Sequence, residues 1–341
     1  MRLISKLFIL CNFIALQPCL ADCPFIIDNF QSSSTPGHPY FLTLPAQTIR
    51  VDADTPAGAS IGKISINGSG HNDVYYDCRN QTVYTYGKIL NTSGLIPLAN
   101  NTFAVGDTGV SIKPSVILQG REGVFPSSPG TIPTSGTYVV FPNITEFSVE
   151  LYKIGAQLNL HNPLGDIIIP ATSDFIHQWI NSDTPGSNRP ITVNIGAISI
   201  VSTPVCKIDS SVKDVPFGSV TETSLNNGIK RNLDFALQCQ TDFGTFNAIA
   251  SINASKRTQD NKYITVTDSA GNTDRLKIGI TDSQDKTMNV DGSSSESKNN
   301  IYNNNSAQFN WSATLLRASP TSLLPAVGNF TAQAEITFQI N

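Results

Sequence analysis

The chain has 341 residues, 14% of them charged, with 22 Lys plus Arg against 26 Asp plus Glu and a formal net charge of -4. Mild acidity without basic clusters excludes a nucleic-acid or anionic-membrane binder, because that affinity comes from clustered Lys and Arg displacing counterions. A low charge content with many Ser, Thr, Asn and Gly favours short strands and turns over helices.

Arg2 and Lys6 precede an apolar run, Leu7 to Leu16, broken only by Cys11 and Asn12, and Cys19-Leu20-Ala21 offers small residues to a signal peptidase. Residues 1–21 are therefore expected to be a secretory signal peptide. A lipoprotein signal is the rival reading, but Leu20-Ala21-Asp22-Cys23 has Asp22 where lipid attachment needs Gly or Ala. No other segment approaches the ~18 apolar residues needed to cross a bilayer. The mature chain is expected to be soluble and exported, beginning near Asp22, with 20 basic against 26 acidic side chains once Arg2 and Lys6 are removed.

Four cysteines remain, Cys23, Cys78, Cys206 and Cys239, and they allow three connectivities. One pair falls in each half of the chain, which favours Cys23 with Cys78 and Cys206 with Cys239. In an oxidising compartment each closure adds roughly 3 to 4 kcal/mol in the loop-entropy model. A zinc site is the rival; no CxxC occurs, and His38, His71, His161 and His177 lack ligand spacing.

Strand candidates follow in order: Tyr40 to Leu44, Thr48 to Asp52, Ile61 to Ile66, Val74 to Cys78, Thr82 to Tyr86, Val110 to Leu118, Tyr138 to Phe141 and Phe147 to Tyr152, with Gly and Pro between them. Ser173 to Asn188, with Phe175 and Trp179 among polar residues, reads as a long loop. The strand-like run from Ile191 to Ile200 ends at a seam near Val201 to Pro204, so the expected domains are 22–203 and 204–341.

The second domain reads as all β. Leu233, Phe235, Leu237 and Cys239 alternate with polar neighbours, as do Leu276, Ile278 and Ile280, and Phe309, Trp311, Ala313 and Leu315. Ser269 to Asn272 and the polar stretch Asp291 to Asn305 read as turn segments. From Phe330 to Asn341 the alternation returns, with Phe330, Ala332, Ala334, Ile336, Phe338 and Ile340 on one face. A sandwich that ends on such a strand is expected to leave one flank uncovered, where another chain would bind.

These residues resemble a chaperone-usher pilin domain. Cys206 opens its first strand, Phe217-Gly218 occupies a turn, Leu233 to Cys239 is similar to the second strand with its disulfide partner, and Gly328-Asn329-Phe330-Thr331-Ala332 is similar to the last, Gly328 standing fourteenth from the C-terminus. The sequence departs at Ile340, where pilins usually carry an aromatic residue. More loosely, Ala46 to Val51 with Pro56 to Gly62, Gly109 to Lys113, and Phe147 to Gly155 resemble type 3-like fimbrial tip adhesins.

The resemblance implies an N-terminal β-sandwich or barrel-like receptor-binding domain followed by an immunoglobulin-like pilin domain lacking its seventh strand. It implies a groove lined by Phe330, Ile336, Phe338 and Ile340, a strand supplied first by a periplasmic chaperone that holds the Asn341 carboxylate, and replacement by the next pilus subunit at the outer-membrane usher. The route leads through the periplasm to a fimbrium at the cell surface. With no N-terminal strand to donate, the subunit is placed at the fibre tip, where a host glycan or matrix protein would be its target. A minor structural or adaptor pilin without a receptor is the alternative.

Candidate ligand residues in the first domain are Trp179, the Asp77, Arg79 and Asn80 segment, Lys113 and Tyr138, since sugar sites combine Asp and Asn with an aromatic face. Each competes with an ordinary role as a turn cap, a core residue or a solvated charge. Neither Asp52 with Asp54 nor Glu146 with Glu150 forms a recognisable hydrolytic constellation, and no phosphate-cradling glycine loop occurs. Neither an enzyme nor a metal or cofactor is expected.

Overall fold

The computed structural model describes residues 23–27, 36–134 and 136–341. The proposed signal peptide lies outside these residues. Among them the chain is almost entirely β, and no helix is long and apolar enough to cross a membrane.

The N-terminal strands are β1 (Tyr40–Leu44), β2 (Gln47–Asp52), β3 (Ser60–Asn67), β4 (Val74–Asp77), β5 (Val83–Leu90), β6 (Leu95–Pro97), β7 (Phe103–Val105) and β8 (Val110–Leu118). They continue as β9 (Arg121–Val124), β10 (Ser127–Pro133), β11 (Tyr138–Phe141), β12 (Glu146–Lys153), β13 (Asp166–Ile169), β14 (Thr172–Ile180), β15 (Ile191–Ile195) and β16 (Ile198–Thr203). Two sheets dominate, ordered β1-β15-β14-β5-β10 and β3-β12-β8-β7-β6; smaller sheets pair β11 with β4 and order β13-β16-β2. Alternating apolar residues, among them Leu44, Ile112, Phe147, Leu151, Ile176 and Ile191, fill one core between them.

From Val205 onward, strands pair only among themselves: β17 (Val205–Ile208), β18 (Ile229–Gln240), β19 (Thr245–Asn253), β20 (Tyr263–Val266), β21 (Leu276–Thr281), β22 (Thr287–Met288), β23 (Asp291–Tyr302), β24 (Ser306–Arg317) and β25 (Glu335–Ile340). The sheets β17-β18-β24-β21-β20 and β23-β19-β25 enclose a second core around Phe235, Phe309 and Trp311. One short helix, α1 (Glu222–Asn227), starts on a Thr221–Ser224 capping box and buries Leu225. Disulfides join Cys23 to Cys78 and Cys206 to Cys239.

Three expectations are corrected. Ser173 to Asn188 is no long loop: its first half is β14, whose residues from Phe175 to Ile180 are all buried. Its polar character misled because the polar groups satisfy one another. The His177 ring nitrogens lie 2.6 Å from Asp174 Oδ1 and 2.9 Å from Asp183 Oδ1, and Arg189 donates to both aspartates at 2.7 Å. Second, most of the polar stretch Asp291 to Asn305 is the twelve-residue edge strand β23, paired with β19. Third, the final strand covers only Glu335–Ile340; Phe330 to Ala334 precede it as irregular chain with a bridge at Thr331 to Thr267.

The two cores meet at a dry polar junction. The Lys153 ammonium, at the end of β12, lies 3.9 Å from the Asp242 carboxylate in the β18–β19 turn, and both side chains are 0% exposed. Lys153 Nζ donates to the Ala53 carbonyl at 2.7 Å, while Asp242 accepts from Ser202 Oγ at 2.6 Å and the Leu158 amide at 2.8 Å. Gln157 donates to the Thr241 carbonyl, Gln240 to the Ala53 carbonyl, and Phe243 packs on the N-terminal core.

Candidate functional site

Strand β25 is held along one side only. Its ladder to β19 sets Ile336 opposite Ile252, Phe338 opposite Ala250 and Ile340 opposite Ala248. Small alanines on β19 leave room for the larger side chains, and the Phe338 ring meets Phe235 edge-on at 5.7 Å and lies 6.1 Å from Phe309. The ladder continues past the strand, where the Asn341 and Asn247 backbones exchange hydrogen bonds of 2.9 and 3.1 Å. Among the described strands nothing pairs with the opposite edge of β25.

Burial shows the consequence. On β24, an interior strand, the core-facing Ala307, Phe309, Trp311, Ala313 and Leu315 are 0 to 3% exposed. On β25 the core-facing Ile336, Phe338 and Ile340 are only half-buried, although they pack on the same core. Phe330 is likewise half-buried and tilts against Phe217 with ring centroids 6.4 Å apart; Val215 and Val220, from the same loop as Phe217, pack nearby on this core. A sandwich flank with apolar side chains and unpaired backbone groups is chemically suited to accept an extended strand.

The approach to β25 is stapled. The Asp268 carboxylate accepts from the amides of Ala326, Ala270 and Asn272, and Thr331 and Thr267 exchange backbone bonds. These donors, the Ala326 amide foremost, pull the Asp268 carboxyl down to about 2. Gly328 sits at φ 135, where a Cβ would come within 2.8 Å of the Ser269 side chain. Sequence reading took Ser269 to Asn272 as a plain turn; the Asp268 that organises it carries no signal until the Ala326 segment is folded beside it.

The candidate ligand residues divide into three places. Asp77, Arg79 and Tyr138 come together beside the Cys23–Cys78 disulfide: Arg79 donates to both Asp77 oxygens at 2.8 and 2.9 Å, Tyr138 is Asp77's cross-strand partner, and the guanidinium lies 4.5 Å from the Tyr138 ring centre. The Arg79 side chain's hydrogen bond lowers the Asp77 carboxyl. Asn80 is exposed in the adjoining turn. Lys113 stands apart on β8, ion-paired to Glu122 at 2.9 Å. Trp179 is elsewhere again and is not presented to solvent: it lies on β14, 7% exposed, against Gly87 of β5, with its indole nitrogen buried and unpaired. Its placement in a polar loop is thus corrected. The physical reason is Gly87, whose missing side chain leaves the slot that the indole fills.

Comparison with known proteins adds the following. Residues 191–341 match the "Fimbrial protein" family. Solved structures that align with the chain include the receptor binding domain of the plasmid-born adhesin MrkD1P of Klebsiella pneumoniae, at 16% identity and TM-score 0.38, covering 49% of this chain and 92% of that one. The CupB6 tip adhesin from Pseudomonas aeruginosa aligns at 17% identity and TM-score 0.34, covering 89% and 95%. The CsuC-CsuE chaperone-tip adhesion subunit complex of Acinetobacter baumannii aligns at 14% identity and TM-score 0.40, covering 89% and 98%. No curated protein matches the chain. The C-terminal part of this chain, built on the sheets that end in β17 and β25, carries a fimbrial-protein domain.

Proposed function

We propose that the chain is a fimbrial tip adhesin, with a receptor-binding domain up to residue 203 and a pilin domain from residue 204 that joins the fibre by accepting a strand along β25. The observation that carries this reading is the half-buried row Ile336, Phe338 and Ile340 on a strand whose outer edge is unpaired, inside a region of the fimbrial family. A donated strand that covers four or five such side chains gains roughly 1.5 to 3 kcal/mol for each, on the order of 10 kcal/mol before ordering costs. That is comparable with the whole stability of a typical domain.

The partners follow from this chemistry: a periplasmic chaperone that covers the groove first, an outer-membrane usher, and a pilus subunit whose strand replaces the chaperone's. The first domain is then free to bind a host glycan or matrix protein at the cell surface. The test is to compare denaturant unfolding of the full chain with that of the same chain carrying an appended alternating strand peptide on a short turn. The strand-bearing form is expected to gain several kcal/mol in unfolding free energy. Equal stability of the two forms overturns the reading.

A further inference from the structure

At the end of β12 opposite the junction lies an open cleft of about 430 Å³, lined by Leu42, Ser65, Ile66, Asn67, Ser69 and Glu146. Its position follows from one strand. Glu146 begins β12 at the cleft and Lys153 ends it at the buried junction, so seven steps of a strand separate the two by roughly 23 Å. The cleft is therefore well removed from the junction with the C-terminal region.

Its chemistry is mixed in a definite way. Ser65, Asn67 and Ser69 offer two hydroxyls and an amide, Glu146 offers a carboxylate, and Leu42 and Ile66 give apolar wall. Asn67 and Glu146 are cross-strand partners, which sets amide and carboxylate side by side. No Lys or Arg lines the cleft. Lys63, outside the lining, is 3.3 Å from Glu146 Oε1 and pairs with it.

A stacked ring pair sits on the chain segments that flank the lining residues Leu42 and Ser69. His71, two residues beyond Ser69, stacks on Tyr40 with ring centres 4.1 Å apart and planes 6° from parallel. Tyr40 is buried behind it, its hydroxyl unpaired and tight against Gly68, whereas His71 is exposed. The loop is fixed by the Asn143 amide donating to the His71 carbonyl at 2.6 Å and by the Asn143 backbone donating to Asp73 at 2.9 Å. Chain neighbours of the cleft, Phe41 and Ile144, are 71% and 65% exposed.

We infer that this cleft is a binding site for a neutral saccharide, with Asn67 and Glu146 holding ring hydroxyls and His71, backed by Tyr40, covering an apolar sugar face. The volume suits one or two pyranose rings. Neighbouring donors and acceptors suit vicinal hydroxyls, and with Lys63 already paired to Glu146 and no cation in the lining, nothing in the cleft holds the charge of a sialylated or sulfated glycan. The inference rests on the adhesin reading above and names the ligand class and place for it.

The test presents the full chain to immobilised neutral oligosaccharides ending in galactose, mannose, N-acetylglucosamine or fucose, to a sialylated set, and to collagen and fibronectin. Binding to a neutral set is expected, weakened about tenfold or more by Asn67→Ala, Glu146→Gln and His71→Ala, with thermal midpoints unchanged. Ser65→Trp, which fills the cleft from an exposed strand position, is expected to abolish it. Lys63→Gln, which breaks the same ion pair without removing a lining group, is expected to leave it intact. Neutral-sugar binding that none of the cleft variants alters overturns the site. Binding only to sialylated glycans or to matrix proteins overturns the ligand class while the adhesin reading stands. Silence on every surface overturns both.

Discussion

Asp242 joins two cores with one carboxylate. Replacing it by Ala leaves the fully buried Lys153 ammonium without its counter-charge, together with the Ser202 hydroxyl and Leu158 amide without an acceptor. The expected loss is about 3 to 5 kcal/mol, read from denaturant unfolding of the full chain. Gly87→Ala acts on packing instead: its Cβ would fall 2.5 Å from the Trp179 indole, and a loss of about 1 to 3 kcal/mol is expected. Asp268 gives a pH signature. Its carboxyl is held at about 2 in the folded chain, below the ordinary carboxylate value, so its contribution is complete above about pH 4 and lost as the pH falls towards 2. Asp268→Asn should flatten that part of the acid-unfolding curve, and a curve identical to that of the parent chain counts against the staple.

At the scale of elements, amide hydrogen exchange separates covered from uncovered strands. Amides of β25 should exchange faster than those of β24, and an appended strand should slow them. How much of this was legible depended on where polar groups end up. Strands β18, β24 and β25 announced themselves because one face is wet and the other apolar, so a period of two reaches the sequence directly. β14 did not, since His177 is buried and the groups that permit this lie up to twelve residues away, Asp183 on its ring and Arg189 on Asp183. β23 did not because it is an edge strand held by its backbone. Its Glu296 reaches to the indole N–H of Trp311 at 2.6 Å and to Ser283, a contact between sheets that no local pattern encodes. The candidate ligand residues show the same limit. Asp77 and Arg79 could be paired from their spacing, whereas Tyr138 joins them only through the β11–β4 register, and Trp179 left them because of a glycine 92 residues earlier.

For the whole molecule, the junction predicts shared unfolding. The N-terminal core borrows Phe243 and Asp242 from the other side, so the region up to residue 203 expressed alone should be less stable than the same region within the full chain. Differential scanning calorimetry checks this, and an unchanged midpoint for the isolated region contradicts it. The ligand screens above use the full chain for the same reason.

The junction has a mechanical meaning as well. A fibre anchored along β25 and a target held at the cleft would pull on the molecule, and the load would cross between the two regions through the chain at Thr203 to Val205 and through the Lys153–Asp242 pair that ties β12 to the β18–β19 turn. Exposed ion pairs soften when salt screens them, but a dry pair is hardly screened. The stiffness of the joint should therefore be the same in dilute buffer and in concentrated salt. In single-molecule stretching, the force at which the two regions separate should not shift between the two, and it should drop sharply in Asp242→Ala.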